Sequence, residues 1–403
     1  MDELAARIQA CIERNRDEIL NFLSEYIQQD STNPALGENC APYACHEWLA
    51  DRLERMQLFD KVDFWKLDGG FSNVVAVKTG EGEPLMFAAH SDTVPVTEAQ
   101  LAAWNREAGP LSGLVKDGSI YGRGASDMKS GLAVLLASFK RRAMENRIPR
   151  RGIWFVGTCD EEASGLGARA ALNQIHGRVS ALLIGEPTAG EIGLAAKGCI
   201  WLKLRGSGRT SHGAYPERGV DAIGHLTAVV DGIRAAYFSG EAAHPLLGRA
   251  TCTLTQISGG IKANMVADRA ETMLDIRTLP CMAHGTLLNG IRKLCADYCA
   301  AHPGFAVEME IENLRPPVET EPNSPLAACL RACIQEAQSV PARETGTAFF
   351  SDASILKDLG VQDIILFGPG DPTLAHVPDE YVELEACEWA LSIVNRVLDQ
   401  FCG

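Results

Sequence analysis

Long apolar stretches are what this 403-residue chain most clearly lacks. No run approaches the roughly 18 residues that a membrane-spanning helix needs, so none is expected. Basic residues are in deficit: 37 Lys and Arg stand against 52 Asp and Glu, for a net charge of −15. That balance argues against nucleic acid and anionic membranes as partners. The 13 cysteines are odd in number and scattered, with no C-x-x-C pair. They read as reduced, buried thiols of a cytoplasmic protein. The opening MDELAARIQACIERNRDE is a charged amphipathic helix and does not have the shape of a secretory leader. Internal repeats and low-complexity segments are also missing.

What is present is a core. Hydrophobic residues make up 46% of the chain, ordinary for a globular protein, and the length suits two or three domains. The stretch PLMFAAHSDTVP, residues 84–95, holds an apolar run long enough for a strand buried on both faces. His90 stands at its carboxyl end, where open α/β sheets place ligands. Asp92, two residues on, can accept the second ring N–H and fix the imidazole's orientation. By itself a His after a strand reads equally as a surface residue. Asp127, in YGRGASDMKSG, precedes a helix over about 130–145 and is either its N-cap or a ligand. The flanking glycines suit a close backbone approach. A second buried strand, GIWFVGT, ends at Asp160-Glu161-Glu162, and a third, Ala181–Ile184, ends at Glu186. A strand over Asp363–Phe367 is followed by His376 within AHVPDEY.

Strand ends of one parallel sheet converge on one rim, which gathers His90, Asp127, Glu161, Glu162, Glu186 and His376. Imidazoles and carboxylates without thiolate suit Zn²⁺, Mn²⁺ or Co²⁺. Five candidate ligands and a spare Glu suit two metals sharing one bridging carboxylate. Four acids buried together, with a net charge of about −4, need cations to be tolerated.

The expected fold is α/β: a mixed, mostly parallel sheet flanked by helices, interrupted by an inserted domain. A helix over 2–29 and another over 41–56 precede the sheet. From about residue 193 the pattern changes to strand (194–205), helix (219–236), strand (250–258), strand (268–277), helix (284–300) and strand (305–311). This is the split βαβ, ferredoxin-like order. The expected domains are 1–192 and 313–403 as two parts of one catalytic unit, with 193–312 between them.

HSDTVP, GASDMKSG, DEE, GEP and AHVPDEY resemble, in order, the motifs of the co-catalytic zinc amidohydrolases and exopeptidases. That family includes acetylornithine deacetylase, succinyl-diaminopimelate desuccinylase, glutamate carboxypeptidase and aminoacylase. The resemblance covers nearly the whole chain. It implies that His90 and Glu186 hold one metal, Glu162 and His376 the other, and that Asp127 bridges them. It implies Asp92 as the residue that orients His90, and Glu161 as general base. The inserted domain would be a lid that also forms a homodimer. His212, in TSHGAYPE, would reach the partner subunit's metal site as an oxyanion donor, and Asn264 and Arg277 would bind the substrate carboxylate. Ser351 stands where the family has a Thr near the substrate. Ala267 and Ser130 replace a Pro and a Gly of the family pattern without touching a ligand position. The implied reaction is hydrolysis of a small N-acyl amino acid with two divalent ions, zinc first and cobalt or manganese as alternatives. A dipeptidase or carboxypeptidase-type exopeptidase on the same site is the other reading.

Overall fold

The computed structural model describes all residues except 1–15, 38–41, 105–106, 148, 176–178, 241 and 339–340. The chain divides into two compact units. The first comprises Met1–Leu194, Thr320–Thr345 and Ser351–Gly403; the second comprises Ala195–Glu319 with Gly346–Phe350.

At the centre of the first unit four apolar strands run parallel, in the order Ile153–Thr158, Leu85–His90, Ala181–Ile184 and Ile364–Leu366. The three longer ones are almost wholly buried, and so is the fourth, because helices cover both faces of such a sheet. In register, His90 lies beside Thr158, Ala88 beside Ile184, and Ile184 beside Leu366. All four strands therefore stop at one rim. Ser72–Lys78 and Lys61–Lys66 extend one side of the sheet antiparallel, and Ile192–Ala196 meets Leu366 antiparallel on the other.

The helix Ser130–Met144 shows how the faces are sealed. Leu132, Leu135, Leu136 and Phe139 recur at helical spacing and are buried. The Phe139 ring stands edge-on to Phe87 and Phe155 of two neighbouring strands, at centroid distances of 5.4 and 5.9 Å. Helix Leu384–Phe401 packs beside it. The amino-terminal helix runs over 16–27; its expected first part lies outside the described residues. The second helix spans Pro42–Arg55. A small antiparallel sheet joins Leu114–Lys116, Ser119–Tyr121 and Tyr381–Glu383. Its strands are three residues each, too short for a hydrophobic period to show in the sequence.

The second unit runs strand, helix, strand, strand, helix, strand: Gly198–Ser207, Ala222–Tyr237, Thr251–Gly259, Arg269–Thr278, His284–Ala301 and Ala306–Arg315. Its antiparallel sheet has Thr251–Gly259 at one edge and Ala306–Arg315 at the other, with Arg269–Thr278 and Gly198–Ser207 between. In Arg269–Thr278 Ala270, Thr272, Leu274 and Ile276 are buried against the helices, as the alternation requires. The single strand expected over 194–205 is two strands, Ile192–Ala196 and Gly198–Ser207. The break falls at Lys197, just ahead of Gly198, where a Cβ would lie 2.3 Å from Thr278 Oγ1.

Candidate active site

The rim of the first unit brings the predicted residues together. His90 ends its strand with its side chain buried, and its Nε2 lies 3.1 Å from Asp127 Oδ1. The other Asp127 oxygen, Oδ2, lies 3.5 Å from His376 Nε2, which is itself 3.0 Å from Glu162 Oε1. Asp127 is not a helix cap. It sits in the turn Ala125–Lys129 ahead of the helix, with a cis peptide bond to Met128, and its carboxylate faces the two imidazoles. Gly124, at φ 83°, and Gly131 make this approach possible: a Cβ on Gly131 would meet the Gly185 carbonyl oxygen at 1.9 Å. His376 reaches its place with φ at 65°, the left-handed region.

Asp92 works differently from expectation. The second nitrogen of His90, Nδ1, lies 3.0 Å from the Asp92 backbone carbonyl and 3.8 Å from its carboxylate. The carboxylate is spent elsewhere. Its oxygens accept the backbone N–H of Glu161 and of Glu162, both at 3.2 Å, and the side-chain amide of Asn33 at 2.8 Å. Asp92 thus orients the acidic pair, and its main chain orients His90. Asp160, first of the three adjacent acids, turns away at φ 62° and accepts the N–H of Ser164 and Leu166. That turn sends Glu161 and Glu162 back over the rim.

The electrostatics follow from burial. Burial pushes the carboxyl groups of Glu161 and Glu186 well above the ordinary glutamate range, and the other carboxylates add to the effect. Glu162 is raised for the same reason, against the pull of His376. For His90 burial favours the neutral ring, yet its hydrogen bond to Asp127 and the charges of Glu161 and Glu186 outweigh it and raise the imidazole well above its usual value. Burial opposes a charged Asp127 as well, but His90 and then His376 hold its carboxyl below the usual range. His90, Asp127 and Glu162 each offer an atom within 4.8 Å of the others, a set that could hold a metal ion. The carboxylate of Glu186, almost wholly buried, takes no hydrogen bond from the described residues. The charges of His90, Asp127 and Glu162 all bear on it, as they do for a group in the same cluster.

Ser351 is fully buried, and its hydroxyl accepts the N–H of Ala353. Its neighbour Asp352 was not expected to matter, yet it accepts the hydroxyl of Thr158 and adds to the charge felt by Glu161. The sequence does not single out Asn33, Arg123 or Glu380. Arg123 and Glu380 lie inside YGRGASDMKSG and AHVPDEY, so closeness to the candidate ligands is the available signal.

The second unit carries the other predicted residues. His212 is exposed, its Nδ1 accepts the Ala214 N–H at 3.1 Å, and the Asn264 carbonyl takes the N–H of Gly213 at 2.8 Å. His212 and Asn264 therefore share one pair of adjoining loops. Arg277 is already engaged by Asp275 through two hydrogen bonds of 2.7 and 2.9 Å, and its guanidinium lies 5.6 Å from the Phe350 ring centroid.

Comparison with known proteins agrees with this geometry. The sequence profile of peptidase family M20/M25/M40 matches residues 86–400. Acetylornithine deacetylase of Shigella sonnei (strain Ss046) is 28% identical over 342 residues, spanning 82% of this chain and 84% of that protein. The M20 family metallo-carboxypeptidase Sso-CP2 of Sulfolobus solfataricus superposes with a TM-score of 0.77 at 18% identity, covering 95% of this chain and 99% of its own. The YXEP protein of Bacillus subtilis, described as a dinuclear metal binding peptidase, gives a TM-score of 0.68 at 15% identity over 97% and 99% of the two chains. With the profile matched over most of its length, the chain belongs to peptidase family M20/M25/M40 and is a metal amidohydrolase.

Proposed function

We propose that the protein hydrolyses the amide bond of a small N-acyl amino acid, using two divalent cations held by His90, Asp127, Glu162, Glu186 and His376. The observation that carries this reading is the posture of Asp127, which turns one oxygen to His90 at 3.1 Å and the other to His376 at 3.5 Å. A carboxylate presented in this way suits a bridge, with Glu186 completing the His90 side and Glu162 the His376 side. The charge balance supports it too. Asp127, Glu161, Glu162 and Glu186 lie together against two imidazoles, so with all four acids ionised the cluster carries excess negative charge even when both rings are protonated. Nitrogen and oxygen donors without thiolate suit zinc first, and cobalt or manganese as well.

Bound cations would supply Lewis-acid polarisation of the scissile carbonyl and a more acidic water. The chain's own residues do the rest. Glu161 takes the proton from the attacking water and returns it to the departing amine. Asp92 aims Glu161 through its backbone N–H. In the second unit Asn264 and Arg277 bind the substrate carboxylate, Arg277 with the guanidinium nitrogen that Asp275 leaves to it. His212 of the partner subunit donates to the oxyanion in a homodimer. Among the described residues every cysteine is free, which fits a reducing compartment such as the cytoplasm.

Glu161→Gln tests the assignment. The variant is expected to retain both cations by elemental analysis while turnover falls by roughly 10²–10⁴-fold. Turnover near wild type would remove Glu161 from its role. Parallel assays with acetylornithine, succinyl-diaminopimelate and a dipeptide panel identify the substrate class, and preference for the dipeptides would replace the acyl amino acid reading.

A further inference from the structure

The loop that delivers His376 also reaches beneath the Asp127 turn. Glu380, four residues further on, is fully buried. Its Oε1 accepts the backbone N–H of Ser126 at 3.0 Å and of Asp127 at 3.1 Å. Its Oε2 accepts Nη1 of Arg123 at 2.6 Å. The small three-stranded sheet keeps the two segments in step, with Tyr381 opposite Tyr121 and the Gly122 N–H donating to the Glu380 carbonyl at 2.9 Å. From the same loop, the Asp371 carbonyl accepts the Ser126 hydroxyl at 2.7 Å. Arg123 is held in turn, its guanidinium 5.4 Å from the Trp104 ring centroid.

A buried ion pair is a weak device for stability, since desolvation offsets most of the attraction. Charge-assisted hydrogen bonds to two consecutive amides are a strong device for orientation. One of those amides belongs to the residue whose carboxylate stands between the imidazoles. We propose that Glu380 is a positioning residue: by gripping the Ser126 and Asp127 amides it sets the direction in which the Asp127 carboxylate faces His90 and His376. It also couples that direction to the loop that supplies His376, so both sides of the centre are set by one side chain. Arg123 balances the charge of the buried Glu380 carboxylate through its other oxygen. This inference rests on the two-cation reading of the site.

Three variants of the full chain test it by titration with Co²⁺ alone and by the visible spectrum of the Co²⁺-loaded protein, alongside kcat and KM. Glu380→Asp keeps the buried charge but withdraws the carboxylate from the amides by one methylene. Glu380→Gln keeps the length and removes the charge. Arg123→Met leaves Glu380 on the amides. Both Glu380 variants are expected to bind the second Co²⁺ roughly 10–100-fold more weakly, with an altered spectrum. Their kcat falls while KM stays within about threefold, because substrate contacts lie elsewhere. Arg123→Met stays closer to wild type in all three readouts. A Glu380→Asp protein with wild-type Co²⁺ affinity and spectrum overturns the proposal, as does an equal loss in all three variants. Should Glu380→Gln not fold, Glu380→Asp decides. A wild-type protein that binds fewer than two Co²⁺ ions overturns the two-cation reading itself, which keeps the two failures apart.

Discussion

His46 should make the protein acid-sensitive at a point next to the rim that carries His90. It lies on helix Pro42–Arg55 and is 2% exposed. Its Nδ1 is 2.6 Å from the Ser72 hydroxyl, and its Nε2 meets the hydroxyl of Ser91, the residue after His90. Burial lowers the imidazole from 6.5 to about 4. Above about pH 6.5 the ring is neutral in the folded and the unfolded chain, and it contributes no pH dependence. Below that the unfolded chain binds a proton that the folded chain refuses, so stability falls as pH falls, until the folded ring protonates near 4. A gap of about 2.5 units at 1.36 kcal/mol each gives a loss of about 3 kcal/mol. That is a large share of the roughly 5–15 kcal/mol that holds a domain folded. His46→Gln removes the titration and keeps a donor and an acceptor for the two hydroxyls. Urea unfolding of both proteins with metal chelated, at intervals from about pH 7.5 down to about 4, isolates the effect. The difference between them should be flat above about pH 6.5 and then shift by about 3 kcal/mol in favour of the variant. Parallel curves down to pH 4 would refute the burial argument, since a neutral buried ring cannot then be what the fold requires.

Chelation carries its own pH signature. Without cations the raised carboxyl groups of Glu161 and Glu186 and the raised imidazole of His90 bind protons that the unfolded chain has released. Their stabilisation is complete below the unfolded values and is lost as pH rises through the folded ones. The chelated protein should therefore melt higher at about pH 7 than at about pH 8.5, a window in which His46 contributes little. Calorimetry of the loaded protein should show no such gain, and identical profiles would count against a shared cation site. Gly131→Ala should reverse the usual helix benefit of about 0.5–1 kcal/mol. With 1.9 Å between the new Cβ and the Gly185 carbonyl, the variant should lose roughly 1–3 kcal/mol in denaturant unfolding and bind cations more weakly.

The strand ends were readable because their signals are local. A buried parallel strand is a short apolar run, and an acid or imidazole just past its end stands on the ligand-binding rim whatever the rest of the chain does. His90, Glu162 and Glu186 could be placed on that ground. The antiparallel unit was readable for the same kind of reason, as Ala270, Thr272, Leu274 and Ile276 show by their alternation. What escaped were choices between chemically equal groups. Nothing in HSDTVP says that His90 takes the carbonyl of Asp92 and leaves its carboxylate for the Glu161 and Glu162 amides. Nothing in DEE says which acid turns outward; the left-handed backbone at Asp160 decides it, stabilised by N–H donors that come four and six residues later.

The division between what could be read and what could not follows the division between donating a ligand and aiming one. A ligand must be a particular atom type at the end of a particular element, so sequence pattern constrains it strongly. The group that aims it needs only to arrive with a charge and the right reach, from anywhere in the chain. Glu380 arrives from 253 residues beyond Asp127, by way of three-residue strands that leave no periodic trace. Asn33 reaches Asp92 from 59 residues before it. Because these contacts fix direction and leave composition untouched, a chain could keep every ligand of the rim and still hold cations poorly. Counting ligand residues in this fold therefore measures whether a centre can exist, and only the hydrogen bonds behind them measure how well it is built.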